Sequence, residues 1–123
     1  MQPDLHDVVR MALAEDVGDR DLTTRILVPP DARASAHIEQ REPGVIAGLD
    51  VAAAVFARFD VRLETAKDVV ARLEGPAAGI LTGERTALNF LGRLSGIATL
   101  TARFVEAVRG SGATILDTRK TTP

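Results

Sequence analysis

The sequence has no cysteine, which excludes disulfides, thiol catalysis and thiolate metal sites. It also has neither Trp nor Tyr, and aromatic residues make up only 3% of the chain, so stacking platforms for nucleic-acid bases are not expected. The formal net charge is -2, so no excess of basic charge indicates a nucleic acid or an anionic membrane as a partner. Long apolar runs are absent, and the first residues resemble neither a signal peptide nor a membrane span. We therefore expect a soluble, cytoplasmic protein.

What is present suits one globular domain, because 46% of the 123 residues are hydrophobic. Apolar residues at helical spacing predict an amphipathic helix over residues 4–17, with Asp4 as N-cap, and a second helix over 49–59. Alternating or β-branched runs predict strands over 34–40, 60–64 and 69–74, and a further short strand after the Pro-Gly turn of "REPGVIAG". The pattern favours an α+β fold, an open sheet packed with helices.

A long helix of about 25 residues is predicted from Thr82, as N-cap, to the Gly-Ser-Gly segment at 110–112. Arg85 would then lie in its first turn, where the helix dipole disfavours a cation. An apolar stripe should face the core, through Glu84, Leu88, Leu91, Leu94, Ala98, Thr101, Phe104, Val105 and Val108. A second stripe holds Arg85, Asn89, Gly92, Gly96 and Thr99. Mid-helix glycines cost roughly 1 kcal/mol each, so we expect another backbone to approach this stripe closely.

The last residues, "ATILDTRKTTP", combine a strand-like run with two adjacent cations. Residues 113–118 predict a buried strand, and in α/β units the chemistry lies at the carboxyl ends of strands. Arg119 and Lys120 lie there, beside Thr118. Arginine binds carboxylates bidentately and lysine meets phosphate as a point charge, so the pair suits an anionic ligand. The alternative is a solvated turn with ordinary surface charges.

Other polar residues carry weaker signals. Arg85 is by pattern either a surface residue paired with an acid or a functional cation. The acids of "EDVGDRDLTT" could bind a divalent cation but lack the spacing of a calcium loop, so capping of a helix exit is the simpler interpretation. His6 and His37 have no Ser, Cys or second His at a useful spacing and are interpreted as surface or strand residues.

Four segments in order resemble the quinolinate phosphoribosyltransferase family, also called nicotinate-nucleotide pyrophosphorylase (carboxylating). They are "EDVGDRDLTT", "REPGVIAGL", "LEGPAAGILTGERTALNFLGRLSGIATLT" and "ILDTRKTTP". The resemblance implies an N-terminal α/β domain with an open sheet, a long linker helix, and the first strand of an incomplete α/β barrel. It places the domain boundary between residues 1–109 and 110–123.

The resemblance also implies an activity: quinolinate and phosphoribosyl pyrophosphate react to nicotinate mononucleotide, carbon dioxide and pyrophosphate, with Mg²⁺ as cofactor. Arg119 and Thr118 would then bind quinolinate, and Lys120 would face the phosphoribosyl donor as a substrate-binding and catalytic residue. Arg85 would reach into the site of a partner subunit, in a homodimer or a higher homo-oligomer. The metal-binding acids would lie outside this chain.

The resemblance covers only about the N-terminal half of such an enzyme, and one strand cannot close a barrel. We therefore expect the chain by itself to be inactive. Two alternatives stay open: a non-catalytic dimerisation or capping module, and a phosphoribosyltransferase of the same fold with another acceptor.

Overall fold

The computed structural model describes residues 4–18, 22–118 and 120 of the chain. Four helices and three strands follow one another in this described part. The elements are α1 (Leu5–Asp16), α2 (Leu22–Leu27), β1 (Arg33–Ile38), α3 (Leu49–Ala57), β2 (Arg62–Thr65), β3 (Ala71–Pro76) and α4 (Ala77–Ala107). The predicted strands at 34–40, 60–64 and 69–74 and the predicted helices at 4–17 and 49–59 are confirmed within a few residues.

The three strands form one antiparallel sheet in the order β1-β3-β2. Ala36 pairs with Leu73, and Leu63 pairs with the same residue from the other side. Alternation along β1 and β3 turns one face inward and leaves residues such as Arg72 and Glu74 exposed on the other. The sheet is therefore open, with one face available to helices, as the sequence pattern predicts.

Helices α1, α3 and α4 supply the other layer of the core. Helix α2 packs against α4 but not against α1 or α3. Phe56, Val55 and Val9 are the largest fully buried side chains. They join a cluster with members from both layers: Leu13, Ala52, Val61, Leu73, Ile80 and Ala87. Because α4 contacts the sheet, α1 and α3, its position sets the geometry of the whole domain.

Helix α4 begins earlier than the sequence pattern predicts. It starts at Ala77, directly after Pro76, and runs for 31 residues, or about 46 Å. Thr82 is therefore an internal residue and not an N-cap. Pro76 is the N-cap of the helix. Proline has no backbone N–H to donate, so it is tolerated at a helix start but not inside a helix.

The faces of α4 also differ from the prediction. The core-facing residues are Ile80, Gly83, Ala87 and Leu91, whereas Leu88 and Phe104 are about half exposed. At Gly92 and Gly96 an added Cβ would meet no atom of the described residues within 4 Å. The expected close approach of a backbone is thus wrong for these two glycines within this chain, because the sheet and α3 lie against the N-terminal half of α4.

Two predicted strands are not formed. Residues 41–48 are irregular and lie along α4, where side chains of the helix satisfy their backbone groups. Residues 113–118 are exposed and unpaired with any described strand. A β-strand needs a neighbour for its backbone hydrogen bonds, and neither edge strand of the sheet, β1 or β2, pairs with these two segments.

Candidate functional site

Arg85 lies more than two turns inside α4, on the face next to the end of α1. The expectation that it opposes the helix dipole in a first turn is therefore wrong, because that effect falls off beyond the first turn. Its side chain is 74% exposed, and its Nη1 lies 3.4 Å from Oδ1 of Asp16. Most of the guanidinium edge is thus available to a ligand.

Asp16 connects the two helices through both of its oxygens. It is the last residue of α1, and its Oδ2 accepts a hydrogen bond of 2.8 Å from the Thr86 hydroxyl. Thr86 is only 4% exposed, so this hydroxyl depends on a protein partner. From the sequence, Asp16 belonged to an acidic segment interpreted as a cap or as a possible cation ligand. The sequence also offered pairing of Arg85 with an acid, and in the described structure that acid is Asp16.

An open cleft of about 510 Å³ borders Arg85, between α2 and the N-terminal half of α4. Its polar lining combines the Arg85 cation with two acids, Asp16 and Glu84, and with the hydroxyls of Thr23, Thr24 and Thr82. Among the described residues that line the cleft, Arg85 is the only cation, so with the neighbouring hydroxyls it can hold one carboxylate. The described lining by itself is therefore an incomplete site for a dianion.

The other predicted site residues lie at the end of the chain. Thr118 and Lys120 are exposed, and the Lys120 N–H donates a hydrogen bond of 2.8 Å to the Thr118 hydroxyl. Arg119 falls outside the described residues. No hydrogen bond or ion pair in the described part of the chain joins Arg85 to Thr118 or Lys120. Within the described residues, Thr118 and Lys120 thus share no polar contact with Arg85.

A metal site is not found among the described residues, where no three His, Asp or Glu side chains are grouped to hold an ion. In the acidic segment Asp16 binds α4, Glu15 is exposed, and Asp19 and Asp21 lie outside the described residues. His37 pairs with Glu39 at 2.8 Å on the exposed face of the sheet. The described side chains therefore do not form a site for Mg²⁺.

Across 4–18, 22–118 and 120, no helix combines the length and hydropathy that a bilayer crossing requires.

Comparison with known proteins identifies the domain. The family model "Quinolinate phosphoribosyl transferase, N-terminal domain" matches residues 21–95. A quinolinate phosphoribosyltransferase [decarboxylating] of Nicotiana tabacum is 38% identical over 98% of this chain, and a nicotinate-nucleotide pyrophosphorylase [carboxylating] of Mycobacterium leprae is 42% identical over 95% of it. The chain covers 37% and 46% of these two relatives.

Solved structures agree with the sequence relatives. NadC from Streptococcus pyogenes superposes with a TM-score of 0.89 at 36% identity, over 99% of this chain and 49% of that protein. A nicotinate-nucleotide pyrophosphorylase from Francisella tularensis gives a TM-score of 0.87 at 33% identity, over 97% of this chain and 46% of that protein. The chain spans less than half the length of these relatives and belongs to the quinolinate phosphoribosyltransferase family, as its N-terminal domain.

Proposed function

We propose that this chain supplies the N-terminal part of a decarboxylating quinolinate phosphoribosyltransferase, an enzyme of NAD biosynthesis. The observation that supports it most strongly is the match along nearly the whole chain to relatives with that name, at 38% and 42% identity. In the proposed reaction, the quinolinate nitrogen attacks the anomeric carbon of phosphoribosyl pyrophosphate, pyrophosphate leaves, and the carboxyl group next to the nitrogen departs as carbon dioxide.

In this proposal Arg85, Thr118 and Arg119 bind quinolinate and Lys120 meets the phosphoribosyl donor. Quinolinate is a dianion, so two arginines can neutralise its charge and fix the orientation of its ring. Catalysis then consists mainly of positioning the nitrogen against the ribose and of stabilising an oxocarbenium-like centre electrostatically. An exposed Arg85 suits this role because its guanidinium can reach beyond its own domain.

Several properties belong to the same proposal. The enzyme would work as a homodimer or a higher homo-oligomer, in which Arg85 of one subunit completes the site of another. Mg²⁺ would be the cofactor, held by acids outside this chain. The location would be cytoplasmic, which subcellular fractionation can check.

A second candidate is a non-catalytic capping or dimerisation module. It is favoured by one observation: in the described structure no hydrogen bond or ion pair joins Arg85 to Thr118 or Lys120.

Turnover measurements distinguish the two candidates. The chain is tested alone and as a joined protein, in which residues 1–123 are fused to the C-terminal half of the Streptococcus pyogenes relative. With quinolinate, phosphoribosyl pyrophosphate and Mg²⁺, we expect carbon dioxide release from the joined protein and none from the chain alone.

Arg85→Ala should reduce quinolinate use in the joined protein. The matched control is Arg103→Ala, an exposed arginine on the same helix, about 27 Å further along. A folded joined protein without turnover would contradict the proposed activity, and turnover by the chain alone would contradict the incomplete site.

A further inference from the structure

One carboxylate, that of Asp16, contacts two consecutive residues of α4. Its Oδ2 accepts the Thr86 hydroxyl at 2.8 Å, and its Oδ1 lies 3.4 Å from Nη1 of Arg85. The Asp16 side chain is 26% exposed and Thr86 is 4% exposed, whereas Arg85 is 74% exposed. The anchored side of this arrangement is thus the part-buried bond between Asp16 and the buried Thr86, and the Arg85 guanidinium is the part that reaches solvent.

The position of Asp16 is unfavourable for its own helix. It ends α1, where the carbonyl end of the helix dipole repels a negative charge. The site is nevertheless well defined, because Val9 and Leu13 hold α1 in the core and the Val17 N–H caps the helix on the Leu13 carbonyl. The favourable contacts of the carboxylate are therefore those to α4.

The Arg85 pair is too exposed to contribute much to stability, since ion pairs in water are weak. Its effect is on orientation: arginine has several rotatable bonds, and a contact at Nη1 restricts them. Arginine has five N–H donors, so the edge not directed at Asp16 can still bind a carboxylate bidentately.

We propose that Asp16 is a positioning residue for Arg85. Thr86 fixes the carboxylate, the carboxylate orients the guanidinium, and the remaining N–H edge is presented to a carboxylate of the substrate. The inference rests on the proposed function of Arg85, and it adds Asp16 and Thr86 to the residues on which binding of the pyridine dicarboxylate depends.

The first test measures the orientation directly and needs no turnover. Nitrogen-15 relaxation of the Arg85 Nε–H group is recorded for the 123-residue chain and for Asp16→Asn, which keeps an acceptor for Thr86 but removes the charge. We expect a lower order parameter for Arg85 in Asp16→Asn than in the wild type. Thr86→Val, which frees the carboxylate instead, should lower it too.

The matched control is Asp7→Asn. It removes the charge of an exposed carboxylate on α1. That carboxylate pairs with Arg10 of the same helix at 3.3 Å and not with α4. This variant should leave the Arg85 order parameter unchanged. An equal order parameter in the wild type and Asp16→Asn would overturn the inference.

The second test uses the joined protein and separates positioning from general destabilisation. Asp16→Asn should raise the KM for quinolinate about tenfold, with the KM for phosphoribosyl pyrophosphate unchanged. In an Arg85→Ala background, Asp16→Asn should have no further effect on quinolinate kcat/KM, because it acts through Arg85. A further loss in that background, or equal losses for both substrates, would overturn the inference in favour of a structural role.

The two proposals fail in different ways. If Arg85→Ala weakens quinolinate use and Asp16→Asn does not, only the positioning role is overturned. If Arg85→Ala leaves quinolinate use unchanged, the binding role of Arg85 is overturned and the inference with it.

Discussion

At the residue scale, Gly48 allows the loop of residues 41–48 to lie against α4. Its φ is +94°, a left-handed conformation that side chains disfavour, and an added Cβ would come within 2.6 Å of the Leu94 Cδ1. Gly44 is similarly close to Thr99, at 2.8 Å from its hydroxyl oxygen. These glycines lie in the "REPGVIAGL" segment that marks the family, so part of that motif has a packing explanation.

We predict that Gly48→Ala lowers the free energy of unfolding of the chain by about 1–3 kcal/mol, from backbone strain and the overlap with Leu94. The control is Gly92→Ala, since an added Cβ there meets nothing within 4 Å and alanine favours a helix by up to ~1 kcal/mol. Urea denaturation of both variants checks the prediction. A Gly48→Ala variant as stable as the wild type would contradict it.

A second prediction at this scale concerns Arg119, whose role rests on the family resemblance. Arg119→Ala in the joined protein should weaken quinolinate use by at least ~2 kcal/mol, because one carboxylate of the bound dianion loses its charged partner. The measured quantity is kcat/KM for quinolinate, with Arg103→Ala as the control. Wild-type kcat/KM in Arg119→Ala would refute the assigned role.

At the element scale, two hydroxyls one turn apart attach the loop to α4. Thr99 accepts a hydrogen bond of 2.9 Å from the Val45 N–H, and Ser95 accepts one of 3.0 Å from the Ala47 N–H. The Ser95 hydroxyl donates in turn to the Ala47 carbonyl at 3.2 Å. The N–H groups of Val45 and Ala47 are thereby satisfied without a strand partner, which is consistent with the absence of the predicted strand.

We predict that Ser95→Ala and Thr99→Val each lower the free energy of unfolding by about 1 kcal/mol and speed hydrogen exchange at the Ala47 and Val45 amides respectively. The matched control is Thr101→Ala, because that hydroxyl donates only to Ile97 of its own helix, at 2.8 Å. Unchanged exchange at both amides would show that the hydroxyls do not hold the loop.

At the scale of the whole molecule, one face of the C-terminal half of α4 is uncovered in the described part of the chain, while the loop of residues 41–48 lies against another face. Ile97, Leu100 and Phe104 are 52–56% exposed, whereas the core surrounds the N-terminal half of the helix. The chain spans less than half of its relatives, and Arg85 makes no described contact with the residues it is predicted to act beside. In the proposed homo-oligomer, Arg85 of one subunit would complete the site of another.

This arrangement predicts complementation between inactive variants. Joined proteins carrying Arg85→Ala or Arg119→Ala should each have strongly reduced activity and should regain activity when mixed, because one site of a mixed dimer keeps both arginines. Activity is followed after subunit exchange, which a tagged partner verifies. Verified exchange without recovery would contradict the cross-subunit role of Arg85.

Local sequence patterns determined most of the elements. The alternation at residues 34–40 and the helical spacing at 4–17 depend on neighbours within a few positions, so both were predictable. The roles of Arg85 and Lys120 come from the family resemblance, since the residue pattern alone left both open, and they stay predictions. The predicted start of α4 shows the limit of this reasoning. Thr82 has the chemistry of an N-cap, but the helix begins at Ala77, directly after strand β3 ends at Pro76.

Only the tertiary structure decided the contacts between distant positions. The Asp16–Thr86 hydrogen bond joins residues 70 apart, and the bonds of Ser95 and Thr99 to the loop span 48 and 54 positions. Such pairs follow from how helices pack on a shared core, which no local periodicity specifies. The sequence thus determined the family and the candidate ligands, while packing decided which side chain holds Arg85 in place.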